Sequence, residues 1–476
     1  MLLLAIAVAS AAPALAETTA QSMLETMDML AHAIATPTVQ GKDQVPALAN
    51  YLAGKLQAGG FAKSDVEVIP VGHTAALVAR YRGNGKGGKP ILLSAHMDVV
   101  AATNRAAWAP RDPFKLTRDG AYLYGRGVAD MKTQLVVLVE TMLRLKREGF
   151  VPDRDLILVF SGDEETEMAS TAALAKRYHD AAFALNGDAG GGIFDADLKP
   201  VLFEVEAAEK TYADFELTVT SPGGHSSEPT PDNAIYRLGD ALHRIASYPF
   251  PVRYNAITLG AMRAFGARGH AALAQAMQRF AAHPGDAKAA AVISADPAYV
   301  GQLRTTCVAT MLQAGDAPNA LPKHATANVN CRIFPGVSVA AVEATLNRVI
   351  ADPHVKVSVR PPPPVAAPAS EMRPDVTDAV AAAIHARFPG LELVPEMDAG
   401  ASDCIYFRNA GVPCYGVDPA FAKPNDSFMH GINERLLATE IPASLSFWHD
   451  LLVRLATPGA TMRLSATRTG RVSISM

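Results

Sequence analysis

A run of branched apolar residues that ends abruptly in two polar residues constrains this chain most. Ile91-Leu92-Leu93 begins the run, and His96 and Asp98 stand at its end. Continuous apolar runs are typical of strands that are buried on both faces of a parallel sheet. Residues two apart in a strand point to the same side, so His96 and Asp98 should emerge together at the carboxyl edge, where open α/β sheets build their sites. His96 could be a metal ligand that Asp98 orients. The alternative is a histidine of the core that is paired with a nearby acid.

Two later strands end in acids as well. Leu156–Phe160 leads into Asp163-Glu164-Glu165-Thr166-Glu167, and Phe183–Asn186 leads into Asp188. Four acids in five positions repel one another unless a cation lies among them, although a solvated acidic loop is the alternative. Between the first two strands, Asp130 stands at the start of a predicted helix, where it is either a helix cap or a ligand. The alternation of strand and helix predicts a parallel sheet, so these acids should converge at one edge.

Composition excludes some classes of function. The chain has 476 residues, which is too long for one compact core and predicts several domains. A net charge of −4 gives no basic excess, so nucleic acid is not an expected partner. Beyond the N-terminal stretch, no segment is long and apolar enough to predict a membrane span.

The two ends of the chain have their own predictions. Residues 1–16 predict a secretory signal peptide, with an apolar core at Leu2 to Ala9 and a small-x-small cleavage site at Ala14-Leu15-Ala16. No lysine or arginine precedes the apolar core, which leaves open a start upstream of Met1. We therefore expect a periplasmic or secreted protein. Residues 459–476 lack periodicity and are expected to be disordered.

If the protein is exported, its four cysteines can form disulfides. Disulfides between Cys307 and Cys331 or between Cys404 and Cys414 suit an oxidising compartment, and free thiols are the alternative.

The predicted fold class is α/β, with a mostly parallel-sheet catalytic domain and an inserted ferredoxin-like α+β lid domain. The catalytic pattern occupies residues 17–207 and resumes over 362–458. Residues 208–361 predict the strand and helix order β-α-β-β-α-β of the lid, including a helix at Val339 to Ile350 and a strand at Val355 to Val359. An alanine-rich, helical insertion at about 256–300 interrupts the lid.

Five residues at the predicted sheet edge and in later loops are candidate metal ligands: His96, Asp130, Glu165, Asp188 and His430. Oxygen and imidazole ligands suit zinc, and also cobalt or manganese. Three carboxylates and one hydroxide balance the charge of two divalent ions, whereas one ion would leave net negative charge in a cleft. We therefore expect two Zn²⁺ ions.

As a set, the motifs resemble the dinuclear zinc metallopeptidase family of glutamate carboxypeptidase, succinyl-diaminopimelate desuccinylase, acetylornithine deacetylase, aminoacylase and carboxypeptidase S. The resemblance extends from about residue 20 to 455. The matching motifs are Ser94–Val100, Gly125–Lys132, Asp163–Glu165, Gly224–Pro229 followed by Asn233–Ile235, Asn319–Pro322, Arg332 and His430–Glu434.

The resemblance implies a role for each residue of the metal site. Asp130 bridges the metals and is followed by a cis peptide bond. His96 and Asp188 complete one metal site, and Glu165 and His430 complete the other. Asp98 orients His96, and Glu164 is the general base on the bridging water.

The resemblance also implies roles for residues outside the metal site. His225 reaches the site and stabilises the oxyanion. Arg332 and Asn319 bind the substrate, Arg332 by its terminal carboxylate. Gly400, in an acidic turn, is grouped with these substrate-binding residues. From the residues alone, His225 fits a turn equally well and Arg332 fits an exposed strand.

Two departures from the family pattern bear on specificity and assembly. Thr166-Glu167-Met168 stands where family members often have a small glycine, and the added acid is expected to alter the rim of the site. The resemblance implies a homodimer through the lid. The insertion, typical of the carboxypeptidase S branch, leaves open whether His225 serves its own subunit or a neighbour.

We therefore expect an exported metallohydrolase that cleaves amide bonds in small peptides or N-acyl amino acids, of carboxypeptidase, dipeptidase or aminoacylase type. Two alternatives are a co-catalytic zinc aminopeptidase and a metal-dependent peptide-binding protein without turnover. The inserted domain with Gly-His-Ser-Ser argues against the first, and an intact Glu164 argues against the second.

Overall fold

A computed structural model of the chain describes residues 11–268, 271–424 and 426–457, without the side chains of residues 11–19. Most of the predicted signal peptide and the whole predicted tail lie outside these ranges. No helix within them is long and apolar enough to cross a membrane.

The helices are α1 Ala11–Ala35, α2 Val45–Ala58, α3 Lys132–Arg147, α4 Ala169–Arg177, α5 Ala234–Ala246, α6 Ala256–Arg268, α7 Ala272–Ala282, α8 Ala287–Ser294, α9 Val339–Ile350, α10 Pro374–His385, α11 Cys404–Asn409 and α12 Glu440–Ala456. Short 3₁₀ turns occur at Lys63–Asp65, Arg105–Trp108 and Val300–Gln302.

The strands are β1 Val66–Val71, β2 Thr74–Tyr81, β3 Ile91–His96, β4 Thr117–Asp119, β5 Tyr122–Tyr124, β6 Leu156–Ser161, β7 Phe183–Asn186, β8 Gly191–Phe194, β9 Pro200–Glu209, β10 Thr211–Thr220, β11 Gly224–His225, β12 Thr306–Ala314, β13 Ala320–Leu321, β14 His324–Ile333, β15 Val355–Val359, β16 Leu393–Asp398, β17 Cys414–Gly416, β18 Phe421–Ala422 and β19 Arg435–Leu437.

The chain divides into two compact units. The first comprises Met1–Val205, Met372–Leu393 and Ala410–Met476, and the second comprises Glu206–Glu371 and Val394–Asn409.

The first unit is organised around a large sheet with the strand order β1-β2-β6-β3-β7-β17-β9-β8-β18. Strands β6, β3, β7 and β17 run parallel to one another, which confirms the predicted α/β class. Every residue of β3, β6 and β7 is buried, because helices cover parallel sheets on both faces. His96 pairs with Ser161, and Ser94 pairs with Asn186, so the three strands end at one edge.

The second unit contains an antiparallel sheet with the order β12-β14-β10-β15, which is the strand order of a ferredoxin-like unit. The sheet and the helices α5 and α9 share one apolar core, in which Phe215, Leu238 and Leu346 are buried. Helices α6, α7 and α8 lie where the insertion was predicted and have a small core of their own around Phe280. A disulfide joins Cys307 on β12 to Cys331 on β14, which resolves one of the two open pairings.

The structure differs from the predicted boundaries at residues 206–207, 362–371 and 394–409, which all group with the second unit. Val394–Asn409, predicted to belong to the second catalytic part, groups with the second unit. Buried Arg408 of this segment donates to the carboxylates of Glu206 at 2.7 Å and Glu209 at 3.1 Å, which lie at the end of β9 that belongs to the second unit. The acidic turn that carries Gly400 therefore belongs to the second unit.

Candidate metal centre

The ends of three parallel strands and two further segments supply the candidate ligands, all within the first unit. β3 ends at His96, the turn after β6 carries Glu165, and the turn after β7 carries Asp188. Asp130 precedes α3, and His430 lies in the loop between β18 and β19.

Asp130 lies between two histidines and presents one carboxylate oxygen to each. His96 Nε2 lies 3.0 Å from Asp130 Oδ1 and 3.5 Å from Asp188 Oδ1. His430 Nε2 lies 2.9 Å from Asp130 Oδ2 and 3.1 Å from Glu165 Oε1. The five predicted ligands thus form two adjacent groups that share Asp130. In each group of three, the ligand atoms lie within 4.8 Å of one another.

The charges of these groups fit divalent cations. Burial lowers the pKa of His96, but the charge of Asp188 and the hydrogen bonds that the ring donates to neighbouring carboxylates outweigh it and raise that pKa well above its usual value. Hydrogen bonds to Asp130 and Glu165 raise the pKa of His430 to about 10. Burial raises the pKa of Asp130, yet its contacts with His430 and His96 bring the pKa well below its usual range. The carboxylates therefore favour positive charge at both positions, which bound metal ions would supply while the imidazoles remain neutral.

Asp98 acts differently from the expectation. His96 Nδ1 lies 3.0 Å from the backbone oxygen of Asp98 and 3.4 Å from its carboxylate. The carboxylate instead accepts the backbone N–H groups of Glu164 at 3.1 Å and Glu165 at 3.0 Å. Asp98 therefore directs the histidine ring mainly through its carbonyl, because its carboxylate is engaged in fixing the Glu164–Glu165 turn.

The four acids after β6 have different surroundings, so the cation and the solvated loop that the sequence left open each describe some of them. Asp163 caps α4, where it accepts the N–H groups of Ala169 at 2.8 Å and Ser170 at 3.0 Å. Glu167 is exposed to solvent. Glu164 and Glu165 remain next to the histidines, and Glu164 and His96 present ligand atoms within 4.8 Å of each other.

Glu434 holds the Asp130 segment, a role that the sequence did not reveal. One of its carboxylate oxygens accepts the N–H groups of Ala129 at 2.8 Å and Asp130 at 3.0 Å. The other accepts the N–H of Gly127 at 3.0 Å and pairs with Arg126. Both side chains of this ion pair are buried. The signal was present in the His430–Glu434 motif, but nothing in the motif indicated the partners. The Asp130–Met131 peptide bond is cis, as the resemblance implied.

The predicted residues outside the metal groups lie in the second unit, as two neighbouring pairs. His225 is exposed and pairs with Ala320 across the β11–β13 ribbon, while the carbonyl of Asn319 accepts the N–H of Ser226 at 3.1 Å.

The second pair is Arg332 and the turn of Gly400. Arg332 lies on β14, and its guanidinium is 4.7 Å from the ring centre of Tyr212. Arg332 donates to the carbonyl of Ala399 at 3.3 Å. The N–H of Gly400 donates to the Asp398 carboxylate at 2.8 Å.

Comparison with known proteins establishes the family. Residues 92–454 match the family model described as Peptidase family M20/M25/M40. The chain belongs to this family. It is 28% identical over 393 residues to the probable carboxypeptidase S-like 2 of Dictyostelium discoideum, covering 79% of this chain and 74% of that protein. It is 27% identical over 393 residues to the human N-fatty-acyl-amino acid synthase/hydrolase PM20D1, covering 78% and 75%.

Solved structures share the fold. The M20 family metallo-carboxypeptidase Sso-CP2 from Sulfolobus solfataricus superposes with a TM-score of 0.68 at 16% identity, covering 91% of this chain and 99% of that one. The YXEP protein of Bacillus subtilis, described as a dinuclear metal binding peptidase from the M20 family, gives a TM-score of 0.59 at 13% identity, covering 92% and 98%. Family membership makes this chain a metallopeptidase or amidohydrolase.

Proposed function

We propose that this chain is an exported two-zinc hydrolase that releases amino acids from N-acyl amino acids or small peptides. The observation that carries the proposal is the pair of ligand groups that share Asp130, with Glu164 beside them. His96 and Asp188 would hold one ion, and Glu165 and His430 would hold the other. Cobalt or manganese suits the same donor set.

When bound, the cations would polarise the scissile carbonyl and make an attacking water more acidic. The Glu164 carboxylate takes a proton from that water and later delivers it to the leaving nitrogen, which completes hydrolysis of the amide. Two backbone contacts to Asp98 fix the turn that carries Glu164, so the base is held in place before substrate arrives. As the resemblance implies, His225 serves the oxyanion, Arg332 binds the terminal carboxylate of the substrate and Asn319 contacts the substrate. Gly400 is grouped with these substrate-binding residues.

The loop around His430 favours an apolar acyl group. Phe428, Met429 and Ile432 are 46%, 56% and 44% exposed although they flank a candidate ligand. Phe428, His430 and Asn433 have positive φ angles of 52°, 59° and 60°, a conformation that costs non-glycine residues about 1 kcal/mol or more and is often found at functional sites.

Arg126 and Arg435 hold this loop in place. The Arg126 guanidinium donates to the carbonyls of His430 and Gly431, and the Arg435 guanidinium lies 4.8 Å from the ring centre of Phe428. The loop is thus fixed with its apolar side chains exposed. The names of the relatives, which include an N-fatty-acyl-amino acid hydrolase, support the same substrate class.

A chain-length series tests the acyl preference. N-acyl leucines from acetyl to dodecanoyl should show kcat/KM rising with length, and Met429→Ser with Ile432→Ser should flatten the rise. Val151→Ser removes a side chain that is 61% exposed and lies elsewhere in the first unit, so it serves as the matched control. Equal chain-length dependence in the wild type and the double variant would contradict the assignment of this loop.

Export is supported by the apolar N-terminal stretch and by the Cys307–Cys331 disulfide. Cell fractionation of the full chain, followed by mass measurement of its N-terminus, should recover a form that starts at Glu17 outside the cytoplasm. Recovery of only an unprocessed cytoplasmic form would contradict export.

A homodimer through the lid is supported by the edge strand β12. Val308, Met311 and Leu312 on this strand are 55%, 57% and 58% exposed, and exposed apolar edge strands tend to pair with other strands. Sedimentation of the wild type and Met311→Lys tests this, with a dimer expected only for the wild type. A monomeric wild type would contradict it.

Product analysis by mass spectrometry tests the proposed reaction. The zinc-loaded chain is given dipeptides, N-acyl amino acids and N-terminally blocked peptides, with Glu164→Ala prepared identically as the control. Release of C-terminal amino acids from blocked substrates is expected. Cleavage confined to substrates with a free amino terminus would favour an aminopeptidase, and stoichiometric binding without product would favour a peptide-binding protein.

A further inference from the structure

The second unit contains a cavity of about 640 Å³ whose lining includes Arg332, the proposed carboxylate-binding residue. Its size lies within the range of small-molecule sites. Its walls include apolar and aromatic side chains that come from the end of α5, the segment after α8 and the start of β12: Tyr248, Phe250, Pro297, Val300 and Val308. Lys210 and Arg332 line it as well. The cavity therefore combines an apolar body with two cationic groups.

Lys210 is buried, with 1% of its surface exposed. Its ammonium group donates to the carbonyl of Arg304 at 3.0 Å and to the Thr306 hydroxyl at 3.3 Å. An ammonium group has three protons, so these neutral contacts leave one for another acceptor. Nε of Arg304, which also lines the cavity, is buried without a hydrogen-bond partner among the described residues.

The charges around Lys210 are unbalanced. Burial and, to a lesser extent, the nearby charge of Arg332 together lower its pKa to about 7. Among the described residues, neither Lys210 nor Arg332 forms an ion pair with an acidic side chain, although buried charges are usually paired. An anion placed between the two groups would supply the missing charge and the missing acceptor.

We infer that this cavity binds a carboxylate with an apolar or aromatic body, with Lys210 and Arg332 as its cationic partners. The identity of the ligand as an amino acid or N-acyl amino acid rests on the proposed function, whereas the binding of the anion does not. Lys210 is then a second determinant of carboxylate recognition beside Arg332. Pro297 and Val300, at the end of the helical insertion, contribute to the wall that contacts the apolar body of the ligand.

Calorimetric titration of the zinc-loaded Glu164→Ala chain tests this inference without turnover. The probes are N-acetyl-phenylalanine, its neutral amide and dodecanoate. We expect the carboxylate to bind about tenfold or more tightly than the amide, because only the carboxylate forms charge-assisted hydrogen bonds with the two cationic groups. Lys210→Met should remove about that factor for the carboxylate and leave the amide unchanged. Lys356→Met, which changes an exposed lysine of the same unit, should have no effect.

A second variant keeps the inference testable if Lys210→Met does not fold. Ala298 is exposed at the cavity wall, so Ala298→Trp should fold and obstruct the cavity, with weaker binding of N-acetyl-phenylalanine. Unchanged carboxylate binding in either folded variant would overturn the inference, even if the enzyme hydrolyses its substrates as proposed. Tighter binding of dodecanoate than of N-acetyl-phenylalanine would overturn the assignment to the amino acid half. If the wild-type chain hydrolyses none of the substrates while the anion still binds, only the proposed function is refuted.

Discussion

The buried carboxylate of Glu434 should be as important to the metal centre as a ligand, although it binds no metal. It accepts four hydrogen bonds, two on each oxygen, from Arg126 and from the backbone of the segment that carries Asp130. Glu434→Gln keeps the shape but puts an amide N–H₂ group against one pair of these donors. Either orientation of the glutamine leaves two donors unsatisfied and removes the charge that Arg126 faces.

The magnitude follows from these contacts. Loss of one partner of a buried ion pair costs about 3–5 kcal/mol, and we expect the free energy of unfolding to fall by that amount. Two of the four contacts fix the backbone of Ala129 and Asp130, and the glutamine either loses them or keeps them without the charge, so the ligand geometry should loosen too. Loss of contacts that orient ligands typically costs about 10–100-fold in metal affinity. We expect that loss for zinc in Glu434→Gln.

Denaturant unfolding and zinc competition with a chromophoric chelator measure the two effects, and Glu440→Gln is the matched control. Glu440 is a buried carboxylate in the same unit that accepts from Arg387 at 2.7 and 2.8 Å and from the N–H of Phe421 at 3.0 Å. The control should lose stability without losing zinc affinity. Equal zinc affinities for the two folded variants would refute the positioning role of Glu434.

Further predictions concern the base and a buried lysine. Glu164→Ala should retain zinc, measured by metal analysis, and lose nearly all turnover; activity near the wild-type level would contradict its assignment as the base. The pKa of Lys210 is about 7, below its ordinary 10.5, so between these values the unfolded chain binds more protons. The free energy of unfolding should therefore gain up to about 1.4 kcal/mol per pH unit over this window, as pH rises. Lys210→Met should lack this gain in denaturant titrations while Lys356→Met keeps it; identical pH slopes in all three would contradict the buried position of Lys210.

Local patterns predicted the elements that depend on burial. The apolar runs before His96 and Glu164 predicted buried strands without knowledge of the neighbouring strands. Helix α9 and strand β15 have the predicted bounds. Strand direction followed from the alternation of strands with helices. The convergence of His96, Asp130 and Asp188 could therefore be predicted from the sequence.

Long-range partners could not be predicted in this way. The two acids Asp163 and Glu164 are adjacent, and only the fold shows that the first caps α4 while the second faces the histidines. Glu434 reaches its partners across about 300 residues of sequence. The contacts of Arg408 with Glu206 and Glu209, which tie Val394–Asn409 to the second unit, are of the same kind.

The zinc content of the purified chain tests the central claim most directly. After equilibrium dialysis against zinc, the wild type should hold two ions per chain. Asp130→Asn should lose both, because each group depends on one oxygen of Asp130. His430→Ala should lose one ion, since only one group contains it. A single ion per wild-type chain, or two ions retained by Asp130→Asn, would contradict a shared two-metal centre.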